Sequence, residues 1–219
     1  MNAESPESLI AVLRQAVIDG QAAAAASATE RALAAGLPPR TLVDEALIPA
    51  MDEAGRLFEC GEFFVPELLV AARALKASQA LVTPLLAGSP TASAGRIAIG
   101  TVKGDMHDIG KNLVVALLQG GGFDVIDLGA DVPPERFVAA VADDGADIVG
   151  LSALLTTTML QMKTTVQALD QAGVRGAVKV MVGGAPVTQR FADEIGADGF
   201  ADNAAAAVVL ARRLMGRPA

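Results

Sequence analysis

Tryptophan and tyrosine are absent from the 219 residues, and cysteine and histidine occur once each, as Cys60 and His107. Without aromatic platforms the chain lacks the usual means of stacking single-stranded bases. One cysteine excludes an intrachain disulfide, so a reducing compartment, the cytoplasm, is expected. Positive charge is scarce: 17 Lys and Arg against 25 Asp and Glu leave a net charge of −8, which repels phosphate backbones and anionic membranes. Neither a nucleic acid nor a membrane is an expected partner. The opening MNAESPESLI has neither the basic nor the apolar stretch of a signal peptide, and no apolar run nears the roughly 18 residues needed to span a bilayer.

Aliphatic residues are plentiful. Apolar side chains make up 52% of the chain and charged ones 19%, which implies well-buried cores. The length allows one large domain or two small ones. Residues 5 to 88 read as four helices joined by short turns, a small bundle. Ser5-Pro6-Glu7 supplies an N-cap, a proline at the first helical position and an early acid. A second helix ends at Gly36, a third runs from about Arg40 to Phe58, and a fourth from about Val65 to Leu86. The segment GSPTASAG (88–95) is a linker by composition.

Beyond it the period changes. RIAIGTV, DVIDLG, DIVGLSAL, VKVMVGG and a short GFAD are strand-like runs, separated by helix-like segments at 110–120, 133–143, 157–172, 188–196 and 203–215. Alternation of this kind predicts right-handed βαβ units and a five-stranded parallel sheet of flavodoxin-like, doubly wound type. In such sheets ligands bind beyond the carboxyl ends of the strands.

The loop after the first strand reads Gly104-Asp105-Met106-His107-Asp108-Ile109-Gly110-Lys111-Asn112. It departs from a phosphate-binding loop: five residues separate Gly104 from Gly110 rather than four, and Asn112 stands where a Ser or Thr would bind magnesium. His107 lies at the binding end of the sheet, but a zinc site needs three or four protein ligands, and no other histidine exists. A corrin or haem brings four equatorial nitrogens and needs only one axial ligand from the protein. Asp105 can turn back to accept the other imidazole N–H, which fixes the tautomer. Asp108 is expected to be exposed or to cap the next helix, and Gly110 to keep the helix entrance free of a side chain. Ser152, Leu154, Thr156 and Thr158 end the third strand, and their hydroxyls can serve a helix cap or a ligand. Gly183 and Gly184 end the fourth, where glycines allow close approach to the backbone.

Asp105-x-His107-x-x-Gly110, then Ser152-x-Leu154, then Gly183-Gly184 resembles the three-part signature of the cobalamin-binding domain. TVKGDMHDIGKNLV, GLSALLTTTM and VGGAPV resemble the corrinoid proteins of methyltransferase systems and the matching module of cobalamin-dependent methionine synthase. The resemblance implies a helical cap over residues 1–90 and a cobalamin-binding, Rossmann-like domain over 91–219. It implies cobalamin or a related corrinoid as cofactor, with His107 as lower axial ligand to cobalt in place of the cofactor's own base. Gly104, Asp108, Gly110, Ser152, Leu154, Thr156, Gly183 and Gly184 would line the cofactor site. Asp105 and Thr158 would relay a proton, Thr158 standing where many relatives have Ser. On this reading Asp105→Asn weakens the coupling of ligation to pH and leaves the fold intact.

The segment from Phe58 to Leu68 resembles the part of the cap that covers the upper corrin face, with Phe58, Phe64, Val65 and Leu68 as contacts. The same residue types at the same spacing also make an ordinary bundle interior. Nothing near Cys60 would stabilise a thiolate. The function implied is a carrier subunit, not itself a catalyst, that shuttles a methyl group on cobalt. Its partners would be a substrate-specific methyltransferase, an acceptor methyltransferase serving a tetrahydrofolate or thiol, and a reductive reactivator. The alternative is a cobalamin-dependent sensor or storage protein, although no basic recognition helix is present for DNA. A mutase subunit would usually lack the cap, and a receiver domain needs a lysine where Ala201-Asp202-Asn203 stands.

Overall fold

From Ser5 to Leu86 the backbone is helical almost throughout in the computed structural model, which describes residues 5–86 and 94–217. The chain divides into two compact units, residues 1–92 with 120–122, and residues 93–119 with 123–219. The Gly/Ser/Ala/Pro segment at 88–95 falls mostly outside the described residues.

The first unit consists of α1 (Pro6–Ile18), α2 (Ala22–Ala34), α3 (Pro39–Leu42), α4 (Ile48–Glu59) and α5 (Val65–Leu86). Ser5 caps α1 as its sequence implies, its hydroxyl accepting the Ser8 N–H at 3.2 Å. The third helix read from the sequence is not uniform. A π turn over Val43–Leu47 joins α3 to α4. Pro49 lies just beyond it and has no N–H to give to the carbonyl of Glu45, four residues back; Arg14 donates to that carbonyl instead. Helix α2 packs on both α1 and α5, and its buried residues are small: Ala25, Ala28, Thr29 and Ala32. On α5 the buried stripe runs Leu68, Ala71, Ala74, Leu75, Ser78, Val82, the helical repeat of an amphipathic face.

The second unit is the five-stranded parallel sheet expected, with strand order β2-β1-β3-β4-β5. The strands are β1 (Arg96–Val102), β2 (Asp124–Val132), β3 (Ile148–Ser152), β4 (Lys179–Gly183) and β5 (Gly199–Ala201). Between and after them come α6 (Ile109–Gly120), α7 (Pro134–Ala142), α8 (Leu160–Gln171), α9 (Gln189–Ile195) and α10 (Ala204–Leu214). Central β1 is buried from Ile97 to Val102, the continuous apolar run of a strand covered on both faces, whereas edge strand β2 is only partly buried. One core packs Phe137, Met162, Val166 and Leu169 of the helices against Val149, Leu151, Val180 and Val182 of the strands. The strand order reverses between β1 and β3. The crevice at their carboxyl ends is therefore the topological switch point, where sheets of this kind bind ligands.

Candidate functional site

At the end of β1 the buried Thr101 hydroxyl donates to the carbonyl of His107 at 3.1 Å, folding the loop back over the strand. The turn passes through Gly104 in the left-handed region, φ 83°, and closes with Asp105 N–H on the Val102 carbonyl at 3.1 Å. This puts Asp105 wholly inside the protein and leaves the His107 side chain 52% exposed.

The Asp105 carboxylate gathers donors from two strand ends. Oδ1 accepts the His107 backbone N–H at 3.0 Å and lies 2.7 Å from His107 Nδ1. Oδ2 accepts the Leu154 N–H at 2.8 Å and the Thr158 hydroxyl at 2.6 Å. Burial pushes this carboxyl toward neutrality, but the bonds from Thr158, Leu154 and His107 outweigh it and hold its pKa far below the usual carboxylate range. An ionised carboxylate against Nδ1 requires the proton on Nδ1. Nε2, which has no protein partner among the described residues, then presents its lone pair outward.

The surroundings are unusually apolar for a surface. Met106 is 71% exposed and Ile109 79%, and Leu154 and Leu155 are also exposed. Asp108 is half-buried, its carboxylate accepting the Asn112 side-chain amide at 3.1 Å. Ser152 is the last residue of β3 and pairs with Thr101 and Gly183, so the ends of β1, β3 and β4 meet there. Thr156 is exposed in the turn that precedes α8. Gly110 lies in the first turn of α6, with no heavy atom within 4 Å of where a Cβ would stand. Gly184, by contrast, is required by the protein itself, since a Cβ there would lie 1.9 Å from the Ala153 carbonyl oxygen.

In the helical unit Phe64 and Val65 are exposed and Phe58 is half-buried. Leu68 is fully buried as the first residue of the α5 stripe, together with Ala71 and Leu75. Exposed Cys60 donates to the Leu57 carbonyl at 3.4 Å.

Sequence reasoning missed Thr101, Asp131 and the pair Lys111–Asp127. Lys111 is almost wholly buried, its ammonium between Asp127 and Asn112. The available signals were two aspartates near the end of the strand run DVIDLGADV and a lysine inside the first turn of a largely apolar helix.

Among the described residues no three His, Cys, Asp or Glu are grouped to hold a bare metal ion. An ion at His107 must bring its other ligands with it. The B12 binding domain family matches residues 95–209, and a second family of the same description matches residues 9–82. The chain belongs to the B12-binding corrinoid proteins. It is 42% identical to a corrinoid protein of Desulfitobacterium hafniense strain Y51, over 96% of this chain and 99% of that one. It is 43% identical to dimethylamine corrinoid protein 1 of Methanosarcina acetivorans, over 96% of this chain and 99% of that one. Among solved structures it resembles the methanol:cobalamin methyltransferase complex MtaBC of Methanosarcina barkeri. That likeness has 30% identity and a TM-score of 0.86, covering 98% of this chain and 82% of that one.

The site of this corrinoid protein fits the group its family binds. The exposed imidazole has one nitrogen committed to a buried carboxylate and the other free. Around it lie side chains, Met106, Ile109, Leu154 and Leu155, that an aqueous surface does not favour and a macrocycle would cover. No helix among the described residues is long and apolar enough to cross a membrane.

Proposed function

We propose that this corrinoid protein is a methyl carrier of the cytoplasm, holding its cofactor through His107. When bound, the corrinoid supplies a cobalt centre that takes a methyl group from one partner and gives it to another. The observation that carries the reading is the half-exposed His107 imidazole, pinned at Nδ1 by fully buried Asp105, in a loop whose Met106 and Ile109 are also exposed.

Each residue then has a role. His107 Nε2 would hold the cobalt. Asp105 keeps the proton on Nδ1 and, with Thr158 on its second oxygen, holds that proton near the ring whether or not Nε2 is engaged. Gly104, Asp108 and Gly110 shape the loop. Ser152, Leu154, Thr156, Gly183 and Gly184 would border the slot for the cofactor's nucleotide tail, Gly184 chiefly by keeping β4 close to Ala153. Phe58, Phe64 and Val65 would shield the methyl-bearing side, residues 1–90 acting as cap and 91–219 as binding domain. The chain's partners would be a substrate methyltransferase, an acceptor methyltransferase and a reductive reactivator. Proteins named for dimethylamine and for methanol both resemble this chain, which supports a reading in which a partner enzyme would select the methyl donor.

The test labels the histidine with nitrogen-15, loads the protein with cobalamin, reduces it to Co(II) and records the EPR spectrum. A superhyperfine doublet, from a spin-1/2 nitrogen, places His107 on cobalt. A triplet, from the spin-1 nitrogen of the cofactor's own base, overturns the reading.

A further inference from the structure

The pairing of β1 with β2 breaks register twice at the binding end. Partners run Ile99↔Asp127, Gly100↔Gly129 and Val102↔Val132, so β1 advances three residues (99 to 102) while β2 advances five (127 to 132). Two extra residues are bulged into β2. Bulges bend a strand and redirect its side chains, and they gather beside functional sites. Here they turn two carboxylates onto the segment that carries His107. Asp127 pairs with buried Lys111 on α6, four residues after the histidine, and also accepts the Gly129 N–H at 2.9 Å. Asp131 reaches the other end: its Oδ1 accepts the Gly104 N–H at 2.7 Å, and its own N–H donates to the Asp105 carbonyl at 3.0 Å.

Asp131 does this from a strained position. It is the one non-glycine residue with positive φ, 54°, among the described residues. Aspartate tolerates that conformation better than most side chains, but strain of this kind persists only where the surroundings hold it. What holds it is the pair of bonds to Gly104 and Asp105. Neither partner can move without shifting the carboxylate that pins the imidazole. We infer that Asp131 is a positioning residue for His107: through Gly104 and Asp105 it fixes the turn, so that Nε2 is presented to cobalt in one orientation. This rests on His107 being the axial ligand. Asp131 makes no hydrogen bond to the imidazole; its two bonds end on Gly104 and Asp105, so its effect on His107 passes through the loop.

The experiment uses the full chain with Asp131→Gly and Asp131→Asn. Glycine adopts the left-handed conformation freely and keeps the backbone N–H, so only the acceptor is lost. Asparagine keeps an acceptor oxygen and tolerates the same φ. In cofactor-free protein, amide exchange at Gly104 should quicken about tenfold in the glycine variant, the factor expected for losing one hydrogen bond to a charged group. In nitrogen-15 histidine protein loaded with cobalamin and reduced to Co(II), the ratio of doublet to all other EPR signal should fall about tenfold. Both readouts should return near the wild-type value in Asp131→Asn. A glycine variant with the wild-type doublet fraction overturns the inference, and so does an asparagine variant as impaired as the glycine one. Failure of the underlying reading is distinct, because then the wild-type protein itself shows the triplet.

Discussion

Replacing Asp105 with asparagine exchanges one oxygen for an amino group, yet the donors around it make that exchange expensive. Each carboxylate oxygen faces a backbone N–H, His107 at Oδ1 at 3.0 Å and Leu154 at Oδ2 at 2.8 Å. Whichever way the amide is turned, its NH2 meets one of them. The other donors can adapt: the Thr158 hydroxyl can swing to the Leu155 carbonyl at 3.0 Å, and the imidazole can change tautomer. A backbone N–H cannot. One buried donor is left unpaired, at about 1–3 kcal/mol, and the surviving bonds lose the strength a charged acceptor gives them. The expected loss is about 2–4 kcal/mol in the cofactor-free protein.

The chain has no Trp or Tyr, so unfolding in urea is best followed by far-ultraviolet circular dichroism. Because the chain divides into two compact units, a global unfolding curve need not be two-state, and exchange at the Leu154 and His107 amides supplies the local readout. The pH dependence has a definite sign. The folded Asp105 pKa is depressed, so its contribution is fully present above the unfolded carboxylate value of about 3.9 and is lost as pH falls from there toward the folded value. Asparagine does not titrate. The gap between wild type and variant should be constant near neutrality and narrow below about pH 4. A difference under about 0.5 kcal/mol at pH 7, with both amides still protected, would refute the reasoning, since a lost buried bond must cost more.

Two glycines of the signature should behave in opposite ways. Gly184→Ala forces a Cβ to 1.9 Å from the Ala153 carbonyl at φ 122°, and should lower stability by at least about 2 kcal/mol in urea unfolding. Gly110→Ala meets nothing within 4 Å and should leave cofactor-free stability level or up to about 1 kcal/mol higher, while cobalamin titrated by absorbance binds at least about tenfold more weakly. Phe137→Ala empties a fully buried place in the sheet core and should cost about 3–5 kcal/mol by circular dichroism; a loss under about 1 kcal/mol would mean the core refills.

The change from helical to strand period was legible because each element carries its own punctuation: Ser5 and Pro6 start α1, and β1 is a mostly apolar run, Ile97 to Val102, buried throughout. The parallel sheet followed from alternation alone. What escaped was whatever depends on register or on a missing donor. The π turn needs the knowledge that Pro49 leaves the Glu45 carbonyl to Arg14, which lies 31 residues away in sequence. The bulges of β2 are invisible in composition, so DLGADV read as a strand that simply stopped at Gly129, when it runs on to Val132. The burial of Leu68 was hidden for a related reason: the motif says where the segment lies, and only packing says which face of α5 turns inward.

Motif residues need not all be kept for the same purpose, and the structure separates them. Gly184 is explained by the chain itself, because no side chain fits beside the Ala153 carbonyl. Asp105 is explained by the loop, whose backbone donors it satisfies even with no ligand present. Met106, Ile109, Leu154 and Leu155 have no such account. They support no buried core and sit exposed at the carboxyl end of the sheet, around an imidazole with one nitrogen free. Leaving that much apolar surface in water is unfavourable to a protein on its own, and it becomes favourable once a flat, largely apolar group lies over it. The fold therefore accounts for the scaffold residues of the signature. The residues it leaves unexplained are the ones that a macrocycle held by His107 would cover.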